Sequence, residues 1–178
     1  MILDILKFPE PILRMPAQPV GAVTGEIAEL MENMLETMYA APGIGLAAPQ
    51  VGVSKRVIVL DLDHENRGVN VIKLANPEVR EAEGEVVYEE GCLSVVDFTA
   101  EVTRAERVLV GGYGADGEEV EIEADGLLAV ALQHEIDHLD GKLFIDRISR
   151  LKRDIYVRKL KKAVRTGKEP EESRGVVI

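Results

Sequence analysis

His134, Glu135 and His138 stand in the run His134-Glu135-Ile136-Asp137-His138, an HExxH spacing. On a helix, residues four apart share a face, so two imidazoles can reach one divalent cation together. Glu135 sits beside them, where a carboxylate can take a proton from a cation-activated water. Two imidazoles leave a catalytic site one protein ligand short. The extended HExxHxxGxxH form would add a third histidine, but here its glycine is present as Gly141 and its last position is Phe144. The other sources are a carboxylate at Glu169 or Glu171, in a stretch whose composition marks it as a tail, and Cys92, the sole cysteine.

Cys92 lies in YEEGCLS, residues 88–94, at the end of an expected strand and next to Gly91, Glu90 and Glu89. Its thiolate would complete a set of two nitrogens and one sulfur. The bland reading is a small, buried, inert hydrophobe. A cysteine nucleophile activated by a histidine is the other chemical reading, but it leaves the four-residue spacing and Glu135 without a role. Residues 43–50, GIGLAAPQ, combine small residues with a glutamine, so backbone can approach a ligand or another strand closely. The segment lacks the lysine and hydroxyl residue of a phosphate loop and follows no strand. Gln50 could donate its amide to a carbonyl oxygen or simply cap a turn.

These residues need elements to hold them. Apolar Ile27, Leu30, Met31, Met34, Leu35 and Met38 recur at helical spacing, so residues 25–40 read as an amphipathic helix, with Thr24 as its possible cap and Pro42-Gly43 as its stop. β-Branched runs at 53–61, 71–75, 86–88, 102–110 and 120–123 read as strands. Turn signals at 64–68, at Asn76 and Pro77, and at 115–117 separate them. DGLLAVALQHEIDHL, from residue 125, is helical and apolar enough to be buried. Ser149 caps a last helix with a weak stripe of Leu151, Ile155, Leu160 and Val164, and Ile148 could staple its start. The expected architecture is α+β, with antiparallel or mixed sheets packed around a central HExxH helix and with N-terminal and C-terminal helices. Residues 1–165 form one domain in this reading, and 166–178 a flexible tail.

Length and composition agree with one soluble domain: 178 residues, 46% hydrophobic and 30% charged, without an apolar run long enough for a membrane span. One cysteine excludes an internal disulfide, and Asp4, Lys7 and three prolines by position 16 break any signal-peptide core, so a cytoplasmic location is expected. The net charge of −11 argues against general nucleic-acid binding, DNA included. It is unevenly spread: residues 1–149 carry −17, whereas residues 150–168 carry +8.

Taken together, GIGLAAPQ at 43–50, EGCLS at 90–94 and QHEIDH at 133–138 resemble the peptide deformylase family in order and spacing. YAAPGIG, DGLLA and GKLFIDRIS are similar to the bacterial form, and the resemblance spans about residues 3–165. It implies a metallohydrolase that removes the formyl group from N-terminal formyl-methionine of nascent chains. By that resemblance Cys92, His134 and His138 ligate the metal, and Glu135 is general base and acid. Gln50 and the Leu93 N–H hold the formyl oxygen, Gly45 binds substrate backbone, and Ile44, Leu127, Val130 and Ala131 border the methionine pocket. Arg104 matches an arginine near the substrate channel, although a surface cation or a partner for Glu90 suits it equally. Ferrous iron (Fe2+) is the implied cofactor, with Zn2+, Ni2+ or Co2+ as substitutes. The resemblance also implies a monomer whose basic helix, 150–165, docks on the ribosome. Val95-Val96-Asp97-Phe98 departs from the family by lacking a proline, which affects the channel rim rather than a ligand. An HExxH peptidase of internal amides and a structural metal module are the competing readings.

Overall fold

The structure is a computed structural model and describes residues 1–167 and 177–178. The first helix, α1 (Gly25–Ala40), buries Met31, Met34, Leu35 and Met38 along one stripe, as its spacing predicts. Thr24 occupies the capping position in extended backbone, but its side chain makes no capping bond. Seven strands follow: β1 (Gly45–Ala47), β2 (Val57–Leu60), β3 (Ile72–Glu83), β4 (Val86–Cys92), β5 (Val95–Arg104), β6 (Arg107–Tyr113) and β7 (Glu119–Asp125). Then come α2 (Gly126–Leu139) and α3 (Arg150–Thr166).

All named pairings are antiparallel: a five-stranded sheet ordered β1-β2-β3-β6-β7 and a separate β4-β5 hairpin. β2 explains how the large sheet sits. Its sequence, VIVL, is buried throughout because both faces are covered. Ile58 and Leu60 join the apolar cluster of Val130, Ala131 and Leu132 from α2, whereas Val57 and Val59 join that of Met31, Met34 and Met38 from α1. The sheet therefore lies between the two helices, and α2 is apolar because it forms one of the two cores. A third cluster joins Cys92, Val95 and Val102 of the hairpin to Phe144 and to Tyr156 of α3.

Several expected boundaries move. Asn76 and Pro77 do not end a strand: β3 runs through them, with Asn76 in left-handed backbone (φ 49°) and a bulge between Ala75 and Glu78. The Asn76 side chain accepts from Val20 N (2.8 Å) and donates to Val20 O (2.7 Å), which supports that strained residue. The run 102–110 is two strands, because Gln133 of α2 hydrogen-bonds both N and O of Ala105 and fixes a turn there. On α3, Leu151, Ile155 and Val164 are exposed, and the packed face is Tyr156 with Val157 and Leu160. Ser149 caps that helix by accepting from Lys152 N (3.2 Å). The expected flexible tail falls largely on residues 168–176, outside the described residues. Of the residues at its ends, Thr166 closes α3, and Ile178 is buried with Val177 paired to Gly91.

Candidate active site and metal centre

α2 places His134 and His138 one turn apart, with ring centroids 5.0 Å from each other. β4 ends at Cys92 against that face, and ligand atoms of Cys92, His134 and His138 lie within 4.8 Å of one another, all buried. Cys92 Sγ is 3.3 Å from His138 Nε2. His134 Nδ1 donates to Glu90 Oε1 at 2.8 Å, because a carboxylate can only accept, and this leaves Nε2 with its lone pair. Among the described residues, His134 Nε2, His138 Nδ1 and both Glu135 carboxylate oxygens are buried without a hydrogen-bond partner. Each such atom costs about 1–3 kcal/mol if left alone, so four on three residues of α2 mark a place for a polar guest.

Two imidazoles and a thiolate suit a divalent transition metal rather than magnesium or calcium, whose ligands are oxygens. Electrostatics agree. Burial pushes the Cys92 thiol up to about 12, with the Glu135 charge adding to it, so a thiolate there needs a cation beside it. Burial and the neighbouring His134 push His138 well below its ordinary value and keep it neutral, as a ligand must be. Burial also raises the Glu135 carboxyl well above the ordinary range, with Glu90 adding and Arg104 opposing. A raised carboxyl can hold a proton as well as release one.

Behind the ligands runs an ionic chain, buried from Glu90 to Asp137 and ending in the exposed Arg147. Arg104 donates to both oxygens of Glu90, from Nε (2.7 Å) and Nη2 (2.8 Å), and from Nη1 to Asp137 (2.9 Å). Arg147 grips the same Asp137 through Nε (2.6 Å) and Nη2 (2.8 Å). Burial raises both carboxyls, but Arg104 and His134 at Glu90, and Arg147 and Arg104 at Asp137, outweigh it and hold each below its ordinary value. Three readings were open for Arg104: an arginine near the substrate channel, a surface cation and a partner for Glu90. Its guanidinium pairs with Glu90 and Asp137 with a side-chain exposure of 1%, a geometry that fits the partnership with Glu90 and not a surface cation.

Gln50, wholly buried on the 3-10 turn Ala48–Val51, is oriented by its carbonyl, which accepts from Ala47 N at 2.8 Å. Its amide nitrogen consequently faces Ser94 Oγ (3.1 Å) and Cys92 Sγ (3.7 Å). Leu93 follows Cys92 in the hairpin turn, and Lys7 donates to its carbonyl at 2.5 Å. Phe8 N donates to Ser94 O at 2.7 Å, so the irregular lead-in straps this turn. Gly43 leaves room for Leu93, whose Cδ1 a Cβ would meet at 2.7 Å, and Gly45 leaves room for Glu135. Ile44, Val130 and Ala131 are buried in one apolar cluster with Leu127 packed against it. Phe144, where a third histidine would have stood, stacks near His134 at 6.2 Å. Val96, in the segment lacking proline, accepts through its carbonyl from Tyr156 OH (3.1 Å). Lys7, Ser94, Asp137 and Arg147 escaped the sequence reading. Asp137 inside HExxH, Ser94 inside EGCLS and Arg147 inside GKLFIDRIS carried a positional signal, and Lys7 carried none.

The chain is similar to known proteins. The sequence profile described as polypeptide deformylase matches residues 2–154. A peptide deformylase of Thermodesulfovibrio yellowstonii is 53% identical over 160 residues, which is 90% of this chain and 97% of the relative. The crystal structure of a peptide deformylase from Legionella pneumophila is similar with a TM-score of 0.85 and 44% identity, covering 96% of this chain and all of that one. The peptide deformylase of Ehrlichia chaffeensis in complex with actinonin is similar with a TM-score of 0.86 and 38% identity, covering 92% of this chain and 98% of that one. With the profile spanning every motif segment around Gln50, Cys92 and His134, the chain belongs to the polypeptide deformylase family.

Proposed function

We propose that the protein hydrolyses the N-formyl amide of formylmethionyl peptides and nascent chains, releasing formate and a free α-amine, with the residues of this centre in defined roles. The observation that carries the reading is the Cys92-His134-His138 triad beside a buried Glu135 carboxylate that has no partner of its own. Cys92 Sγ, His134 Nε2 and a His138 ring nitrogen would hold the ion, with Fe2+ as the resident metal and Zn2+, Ni2+ or Co2+ as substitutes. What such a cation supplies when bound is Lewis acidity, enough to bring the pKa of a water from about 16 toward about 7.

The remaining chemistry belongs to the chain. Glu135 takes the proton of the attacking water as its oxygen adds to the formyl carbon. It then returns that proton to the amide nitrogen as the C–N bond breaks, so one carboxylate serves as base and acid. Gln50 Nε2 and the Leu93 N–H face the formyl oxygen and stabilise it as it becomes tetrahedral, the amide already aimed by Ala47 N–H. β1 and β4 are outer strands, so an extended peptide can pair along them through main-chain groups and be accepted whatever its later side chains. Gly45 admits its backbone, and Ile44, Leu127, Val130 and Ala131 offer an apolar lining to an unbranched thioether. Arg104 holds Glu90, and through it His134, in place.

Formate release decides between readings. Formyl-Met-Ala-Ser, with its unformylated and acetylated counterparts, should give formate from the first alone. Cleavage of internal amides without formate would make the protein a peptidase. Metal retained with no hydrolysis of any substrate would make the site structural. No helix among the described residues is long and apolar enough to cross a membrane. A cytoplasmic monomer that meets nascent chains at the ribosome through α3 completes the proposal.

A further inference from the structure

One short segment of this chain already lies where a peptide would pair. Val177 O accepts from Ile44 N at 3.3 Å, and Ile178 N donates to Gly91 O at 3.2 Å. These two bonds join the start of β1 to β4 through a parallel bridge between Gly91 and Val177. Gly91 is available because the β4-β5 register shifts between Glu90 and Cys92. Ile178 is 1% exposed and belongs to the apolar cluster of Ile44, Val130 and Ala131. Val177 packs against the cluster of Leu46 and Leu93. Ile44 immediately precedes Gly45, and Gly91 immediately precedes Cys92, so the segment bridges the two strands that flank the metal ligands.

We propose that Val177 and Ile178 are an intramolecular competitor for the substrate-peptide groove. A peptide entering between β1 and β4 needs the Ile44 N–H, the Gly91 carbonyl and the apolar lining that these residues use. Both cannot be bound at once, and the segment has no formyl amide to lose. Substrate affinity is then reduced in proportion to the fraction of molecules in which the groove is filled. The identity of the displaced peptide rests on the deformylase reading, whereas the contact itself does not.

The test compares the metal-loaded full chain with a variant ending at Gly167, which keeps α3 and its cap, and with full-length Ile178→Asp. A fluorescent Gly-Val-Val-Ile peptide with an amidated end should bind both variants at least tenfold more tightly than the full chain, read by anisotropy. The KM for formyl-Met-Ala-Ser should fall at least threefold in both with kcat unchanged. Equal peptide binding by all three proteins, or a KM that stays the same or rises in folded variants, overturns the proposal. If the shortened variant does not fold, Ile178→Asp decides alone. A segment that merely fastens the fold would change thermal stability and leave peptide binding and KM where they were. If no protein releases formate, the deformylase reading fails while anisotropy still decides this one.

Discussion

A Cβ placed on Gly45 would lie 2.4 Å from Glu135 Oε1 and 3.0 Å from its Cδ and Cγ. β1 therefore runs against the proposed proton carrier, and residue 45 must be glycine for the carboxylate to stay where it is. The clash falls on a side chain end, but that side chain is fully buried and has little space to yield into. Gly45→Ala should lower kcat by about two powers of ten by displacing the base, with metal content unchanged. Steady-state kinetics beside elemental analysis checks it, and an unaltered kcat would separate Glu135 from the chemistry.

Glu90 connects the Arg104 guanidinium to the imidazole of His134. Replacing its charge with an amide, Glu90→Gln, preserves shape but weakens the grip on His134 Nδ1 and leaves Arg104 short of one anion. Metal affinity should drop about 10–100-fold, measured by competition with a chromogenic chelator. Affinity within a factor of two would show that the ion pair only fastens the hairpin to α2.

Gln50 tests the stabilisation of the formyl oxygen. Removing one such donor costs about 3–4 kcal/mol in the transition state, so Gln50→Ala should lose two to three powers of ten in kcat. KM should change much less, because the formyl oxygen gains charge only as it becomes tetrahedral. A loss confined to KM would place Gln50 in substrate binding instead.

The ligands were legible because their signals are local. HExxH fixes two imidazoles through helix geometry, and the missing third ligand drew attention to Cys92. The ionic chain behind them was legible only in part: Glu90 was offered as a partner for Arg104, but the register pairs Glu90 with Ala100 and Arg104 with Val86, so the long Arg104 side chain makes the contact, and its further link to Asp137 of α2 carried no signal. The strand read across 102–110 failed for a similar reason. β-Branched residues flank the break on both sides without a glycine or proline between them, and what imposes the turn at Ala105 is Gln133, far along the chain. On α3 a stripe drawn from spacing chose Leu151 and Ile155, but Phe98 and Val96 of the hairpin select Tyr156 instead. Val177 and Ile178 read as tail because their partners, Ile44 and Gly91, are distant in sequence.

Asp61 gives a pH test away from the metal centre. Its carboxylate accepts from Gly68 N (2.9 Å), Asp63 N (3.0 Å) and the Tyr39 hydroxyl. Burial raises its pKa, but these donors outweigh burial and hold it below the ordinary value. A carboxyl depressed in the fold stabilises in full above its unfolded value of about 3.9 and loses that contribution as pH falls through the folded value. Asp61→Asn should therefore be less stable by about 1–3 kcal/mol at pH 7. The difference should shrink below about pH 4, where the wild type loses its own advantage. Thermal melts across pH 2–7 check it, and a gap that stays constant to pH 2 would remove the charge from the account.

α3 carries most of the positive charge of the C-terminal part on its exposed side: Lys159, Lys161, Lys162 and Arg165 all face solvent. Its attachment is separate, through Tyr156, which is 4% exposed, packs its ring at a tilt 4.6 Å from that of Phe98 and donates to Val96 O. That separation allows charge to be changed without loosening the helix. Deleting α3 would be a poorer test, because Tyr156 packs in the same cluster as Cys92. The combined Lys159→Glu, Lys162→Glu and Arg165→Glu variant should bind ribosomes at least tenfold more weakly at about 0.1 M salt, with a shallower salt dependence. Its kcat/KM for formyl-Met-Ala-Ser should stay within twofold, since none of the three side chains belongs to the centre. Ribosome affinity equal to that of the wild type would reject docking through α3, and the basic face would then serve only as a solvated surface.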